Sequence, residues 1–233
     1  MPGYNFVDNV PNLIQGFKEQ KNQDFDVRII DDMSTDGTWE AIEPLDTRPV
    51  DGQYLTYCFK NTEKKFALRN IVETALCMND EEIIAVVDAD DCLCNPDATD
   101  LILGAYNDGA DVVWTAHQWD VNPSMNVSKA LPEKVDPYQY PWCASHLRTF
   151  KVSELKKLNL DNFKDTDGNW FQRGYDQVLM LPLLRQAEDR RYVDEVCYLY
   201  KIDSCSIPKE QRNYAEVRQL STVSLVRARG FVE

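Results

Sequence analysis

The chain has 233 residues, enough to bury a full core as one large domain or two small ones. Its 39 acidic residues against 25 basic ones give a formal charge of −14, which argues against a nucleic-acid partner and against general adhesion to anionic membrane. At 43% hydrophobic the composition is that of a soluble globular protein, and no apolar stretch approaches the ~20 residues that span a bilayer.

Met1-Pro2-Gly3-Tyr4-Asn5 has neither the positive n-region nor the apolar h-region of a signal peptide, so the expected location is cytoplasmic. The cysteines at 58, 77, 92, 94, 143, 197 and 205 are odd in number, and most lie in apolar runs such as Tyr57-Cys58-Phe59. They read as free thiols in a reducing compartment. Cys92 and Cys94 lack a second pair at zinc spacing.

Taken in order, Asp8 or Asn9 caps a first helix with Pro11 in its opening turn and Leu13, Ile14 and Phe17 on one buried face. Residues 25–30 form a strand ending in the acidic turn Asp31-Asp32-Met33-Ser34-Thr35-Asp36-Gly37-Thr38, and a helix follows through Trp39, Ile42 and Leu45. Residues 53–59 form a second strand and residues 63–78 a helix with Arg69 near its middle. Ile83-Ile84-Ala85-Val86-Val87 is a short β-branched run that reads as a buried parallel strand. A helix over 97–106 and a strand over 111–119 complete an alternation that signifies a doubly wound, mainly parallel sheet with helices on both faces.

Beyond residue 120 the pattern loosens. Pro123, Pro132, Pro137 and Pro141 mark a long loop over 122–141, followed by a strand over 143–150 and a short helix over 152–158. A helix over 175–187 contains Pro182, which should bend it. A late strand spans 191–201, and Pro208 opens a final helix over 209–229. That helix carries Lys209, Arg212, Arg218, Arg227 and Arg229 as a solvated basic face, and an apolar stripe of Tyr214, Val217 and Leu220 expected to pack on the domain. A basic helix of this kind leaves room for peripheral membrane association.

The chemistry concentrates at Asp88-Ala89-Asp90-Asp91, which delivers three carboxylates at the carboxyl end of strand 83–87, where open α/β sheets bind ligands. Three negative charges in four residues repel one another. A divalent cation resolves the conflict, and hard oxygen donors suit Mg2+ or Mn2+ with diphosphate oxygens completing the shell.

Pro2-Gly3-Tyr4-Asn5, the acidic turn 31–38, Ala67-Leu68-Arg69-Asn70 and Asp88-Ala89-Asp90-Asp91 occur in that order, and together they resemble glycosyltransferase family 2. The resemblance covers residues 2 to about 120 well, and the Tyr175-Asp176 region more loosely. It implies a single domain of the A-type glycosyltransferase fold over 1–233: a nucleotide-sugar-binding half at 1–120, an acceptor-binding half at 121–205 and a terminal helix at 206–233. It also implies an inverting, metal-dependent transfer from a nucleoside-diphosphate sugar, expected to be a UDP-sugar, to a hydroxyl of a glycan, lipid-linked or protein acceptor.

By the same resemblance Tyr4 stacks on the base, Asp32 accepts from a base N–H and Arg69 lies along the diphosphate or base. Asp88 binds the ribose hydroxyls, Asp90 holds the metal and Asp91 orients the site. Asp176 in Gly174-Tyr175-Asp176-Gln177 fits the general base, held ionised by its helix amino end, with Asp165 and Asp167 as rivals. His146, Trp142 and Trp170 fall on the acceptor side. The Q-x-x-R-W signature of processive members is missing, which favours single transfers.

In the family an apolar central strand precedes P-x-Y-N. Here only Met1 does, so the first central strand is expected to be missing from this chain, which would then start further upstream and leave an exposed, aggregation-prone strand edge. A catalytically silent nucleotide-sugar-binding module and a sugar nucleotidyltransferase are the alternative functions. The second needs a Gly-rich, basic phosphate loop near the start, and none is found there.

Overall fold

The computed structural model describes residues 1–46, 54–202 and 209–233. Pro208 and Cys205, and the first residue of the strand expected over 53–59, lie outside the described residues. The six described cysteines are free thiols, as their apolar settings implied.

Two sheets carry the fold. The first is parallel, in the order β1 (Pro2–Gly3), β2 (Val27–Asp31), β3 (Thr56–Lys60). The second has five strands in the order β4 (Ile83–Val86), β7 (Arg148–Lys151), β6 (Val112–Trp119), β8 (Arg190–Tyr200), β5 (Cys92–Leu93). This sheet is mixed: β6 and β8 run parallel, while β7 lies antiparallel between β4 and β6 and β5 lies antiparallel to β8. β7, which makes two of the three antiparallel pairings, comes from the half of the chain where the sequence lost its regular alternation. Of the strand expected over 143–150 only β7 joins the ladder. The stretch before it is buried and linked to its surroundings one bond at a time, as where Leu147 N–H donates to Thr115 Oγ1 at 3.1 Å.

Helices cover both faces. One core joins α3 (Phe66–Leu76), α5 (Val152–Lys156) and α6 (Tyr175–Gln186) to Val86, Val112, Trp114 and Phe150. The other joins α1 (Val10–Lys18) and α4 (Ala98–Asn107) to Val27, Ile29, Val113 and Leu147. The strict period of two in β6 puts Val112 and Trp114 in one core and Val113 in the other, so its six buried residues in a row serve two layers. Helix α6 is buried without a break from Val178 to Leu184, with Pro182 inside it. Such a helix is central to the fold rather than laid on it.

The terminal helix α7 (Lys209–Arg229) corrects the expectation about its faces. Tyr214, Val217 and Leu220 are each more than 60% exposed, and contact with the domain is made by Ala215 and Val226. Arg227 and Arg229 point inward: Arg227 donates to the carbonyls of Tyr138 and Tyr140 at 2.9 and 2.8 Å, and Arg229 to that of Asn162 at 2.8 Å. Two of the five basic residues therefore clamp loops and add nothing to a membrane-facing patch.

β1 is a two-residue strand, and beside it the two sheets part. Along β4 the only ladder partner among the described residues is β7, so the run that reads as fully buried has Ala85 exposed. A cleft of about 660 Å3 opens there, lined by Arg28, Ile30, Ile71, Met78, Ile84 and Ala85 among others. An apolar edge of this kind is a template for pairing with another chain. Ala85→Lys should lower self-association while leaving the thermal melt close to wild type. Light scattering over a concentration series checks this, and equal association of the two proteins would acquit the edge.

Candidate active site

The N-terminal segment, the first acidic turn and the Asp88–Asp91 loop meet at the carboxyl ends of β1, β2 and β4. Gly3 makes the approach possible. A Cβ there would lie 2.4 Å from Ala89 Cβ and 2.5 Å from the Phe6 ring, closer than any side chain tolerates. Asn9 completes the joint by donating through Nδ2 to the carbonyls of Ala89 and Asp91, both at 2.9 Å.

The acidic turn is knitted to the same segment. Ser34 Oγ accepts from Asn5 N–H at 2.9 Å, and Thr38 Oγ1 accepts from Phe6 N–H at 3.0 Å. Asp36 accepts from Val7 N–H and from both donors of Thr38, which makes Asp36 and Thr38 turn and cap residues. The spacing of the turn is thus a folding device that carries Tyr4 and Asp32 to one place.

Asp32 is buried, and its carboxylate is heavily engaged. Oδ1 accepts from Lys65 N–H and Asn61 Nδ2 at 2.9 and 2.8 Å, and Oδ2 accepts from Phe66 N–H at 2.9 Å. Three acceptor positions out of about four go to the start of α3 and its neighbour. Burial works to raise the Asp32 pKa, but these donors outweigh it and lower the value. Asp32 therefore caps α3 in addition to facing the site. Arg69 is clamped, with Nε 2.6 Å from Glu73 Oε1 and a terminal nitrogen 2.9 Å from Glu63 Oε1. Tyr4 is 37% exposed, and Lys64 Nζ lies 3.1 Å from its ring centroid.

In the second acidic loop the three carboxylates part company. Asp91 is fully buried, accepting from Tyr198 O–H through Oδ2 at 2.9 Å and from Lys201 N–H through Oδ1 at 2.8 Å. Asp88 accepts from Tyr175 O–H through Oδ1 and from an Arg148 terminal nitrogen through Oδ2 at 3.0 Å. Burial, then the charge of Asp88, pushes Asp90 up to about 7 and Asp91 up to about 8. Mutual repulsion on this scale is the condition a divalent cation relieves.

The residues fit such an ion. One ligand atom from each of Asp88, Asp91 and His146 lies within 4.8 Å of the other two, a set that does not include Asp90, the ligand expected from the sequence. Burial, reinforced by the charge of Arg148, holds the His146 imidazole far below its usual pKa and hence neutral, the state a metal ligand requires. Its Nδ1 is buried and makes no hydrogen bond among the described residues. His146 also stacks on Tyr198 and Tyr200, with centroids 4.6 and 5.1 Å away. It therefore lies against the acidic loop and not only beside the acceptor loop. Trp170 packs parallel to Phe163, and Trp142 packs against the core.

Arg148 is the residue the sequence reading passed over. It sits on β7, 1% exposed, with one terminal nitrogen 3.0 Å from Asp88 Oδ2 and 2.6 Å from the Tyr175 hydroxyl. Burial alone would lower its pKa, but Tyr175, Asp88 and Asp176 together raise it, so it stays charged. An arginine directly after Leu147 in a stretch expected as a strand was the available signal, since burying one unpaired is costly. Asp176 opens α6 behind Gly174, whose φ of +64° suits glycine. Burial raises the Asp176 pKa and Arg148 pulls it back, so the guanidinium, more than the helix end, keeps this carboxyl ionisable. Through Asp88, Arg148 and Tyr175 the structure brings Asp176 to the acidic loop. It does not bring Asp165 or Asp167 there: they form a turn in which Asp165 Oδ1 accepts from Asp167 and Asn169 N–H groups.

A sequence model of glycosyl transferase family 2 matches residues 1–178. The chain belongs to glycosyl transferase family 2. The A-type fold expected of a family 2 glycosyltransferase is found in the solved structures it resembles. Residues 1–349 of TarS from S. aureus, in complex with UDP-GlcNAc, superpose with a TM-score of 0.65 at 14% identity, covering 100% of this chain and 66% of that one. The glucosyl-3-phosphoglycerate synthase of Mycobacterium tuberculosis, in complex with Mn2+, UDP and glucosyl-3-phosphoglycerate, gives 0.60 at 12% identity, covering 100% and 79%. The mannosyltransferase PcManGT from Pyrobaculum calidifontis, in complex with GDP-Man and Mn2+, gives 0.57 at 16% identity, covering 96% and 62%. At these identities the likeness is one of fold. The chain spans 65% of the TarS 1–349 structure, and no curated protein matches it.

Losing one partner of a buried ion pair costs about 3–5 kcal/mol. Arg148→Met, which leaves Asp88 and Asp176 uncompensated, should fall in that range by denaturant unfolding, and Arg148→Lys should lose less. A midpoint unchanged by Arg148→Met would show that the pair does not hold the site.

Proposed function

We propose that this family 2 member transfers a sugar from a nucleoside-diphosphate sugar, a UDP-sugar by preference, to an acceptor hydroxyl with inversion at the anomeric carbon. The observation that carries the reading is the meeting of the Asp88–Asp91 loop and Asp176 at one buried arginine, with the Tyr4 segment joined to that loop through Asn9. The UDP and Mn2+ complexes of structurally similar proteins support the donor and ion class. We place the enzyme in the cytoplasm, working as a single domain. No helix among the described residues is long and apolar enough to cross a membrane.

In this mechanism Tyr4 offers a ring face to the base, and Asp32, fixed by its bonds to α3, has about one acceptor position left for a base N–H. Asp88 holds the ribose hydroxyls. Asp90 would hold Mn2+ or Mg2+, and Asp88, Asp91 and His146, whose ligand atoms lie within 4.8 Å of one another, would offer a second set of ligands. When bound, the ion stabilises the charge that develops on the diphosphate leaving group. Asp176 takes the proton of the acceptor hydroxyl as that oxygen bonds to the anomeric carbon and the carbon–diphosphate bond breaks. A base works best with a pKa near the working pH, so the upward pressure of burial on Asp176 serves the step.

Two variants test the division of labour. Asp90→Asn should bind UDP equally with manganese and with chelator, whereas the wild type should bind more tightly with manganese. Equal wild-type affinity in both calorimetric titrations would remove the metal. Asp176→Asn should keep UDP affinity and lose about 10²–10⁴ in transfer rate, the range for a missing general base. Near wild-type transfer would assign the base to another carboxylate, and lost UDP affinity would move Asp176 into the donor site.

A further inference from the structure

A diphosphate needs a cation from the protein, and the cation the sequence offered, Arg69, is held by Glu63 and Glu73. Lys64 stands where Arg69 was expected. Its Nζ lies over the Tyr4 ring at 3.1 Å, donates to the Asp32 carbonyl at 2.8 Å and stays 3.6 Å from Asp32 Oδ2. It is thus poised between the two residues assigned to the base. Burial, against the pull of Asp32 and with a smaller push from the Arg173 charge, makes the Lys64 proton easier to lose. A half-buried ammonium in a protein of charge −14 is an arrangement that an arriving anion relieves.

The ammonium and a stacked base compete for the same ring face, since both use the π-surface of Tyr4. The lysine side chain is long, one-third exposed and attached just before α3, so it can swing without disturbing the helix. We infer that Lys64 is the donor-site cation of this enzyme: it lies on Tyr4 until a base takes the ring, then moves to the diphosphate attached to that base. The inference rests on the nucleotide-sugar reading above and deepens it. Lys64 thereby favours nucleoside diphosphates over bare nucleosides twice, by obstructing the ring against a ligand without phosphate and by rewarding one that has it.

The test compares uridine, UDP and inorganic diphosphate by calorimetry on wild type, Lys64→Met, Lys64→Arg and Tyr4→Leu/Lys64→Met. Lys64→Met should bind uridine about threefold more tightly, because an exposed cation–π contact no longer opposes stacking. It should bind UDP at least about tenfold more weakly, having lost a charge-assisted contact. Lys64→Arg should restore UDP binding to within about threefold, because it restores the charge. In the double variant the uridine gain should vanish with the ring, the non-additivity of residues that share a contact. Uridine and UDP affinities that fall together, or that both stay unchanged in Lys64→Met, overturn the inference and leave the nucleotide-sugar reading standing. A wild-type chain that binds no nucleotide overturns both.

Discussion

The site depends on one interaction, the buried pairing of Arg148 with Asp88. A guanidinium excluded from water at the start of a buried strand is tolerable only with anions around it, and carboxylates crowded at a strand end are tolerable only with cations. Each resolves the other's difficulty. Tyr175 joins the pair through its hydroxyl, which seats the first turn of α6 against the acidic loop and brings Asp176 with it. The geometry of the candidate base therefore derives from the electrostatics of the donor side.

Around that pair the acidic residues divide by their surroundings. Asp91 and Asp32 hold structure together through backbone N–H donors, Asp36 shapes a turn, and Asp88 meets the side chains of Arg148 and Tyr175. The motif letters are alike, but the donors facing each carboxylate are not. A sequence motif rich in aspartate is accordingly a mixture of framework and chemistry, and only the partners separate the two.

Much of the donor half was legible in the chain. Strands ending in acidic turns and helices at 3.6-residue period follow from local pattern, while the place of Tyr4 in the site came only from the family resemblance. In the second half the helices α6 and α7 and the strand β8 were legible too, whereas the stretch before β7 was not, for a physical reason. β7 is short and runs antiparallel, and Cys143 to Leu147 is buried through scattered bonds that leave no periodic trace. Arg148 looked like an ordinary charged residue because its partners lie 60 and 27 positions away. The stripe on α7 misled for the opposite reason: its period is helical, yet the domain takes Ala215 and Val226 instead.

The anchors of Asp91 have a consequence for the nascent chain. Tyr198 and Lys201 follow it by 107 and 110 positions, and Lys201 also reaches Asn9 across 192. Translation at about 5–20 residues per second puts on the order of 5–20 seconds between the synthesis of the acidic loop and that of its anchors. During that interval the three carboxylates remain hydrated in an incomplete sheet. Contacts of such long sequence separation close late and slowly. The donor half, though encoded first, is completed only when β8 leaves the ribosome, and a chain stalled before residue 198 would carry the motif without a site.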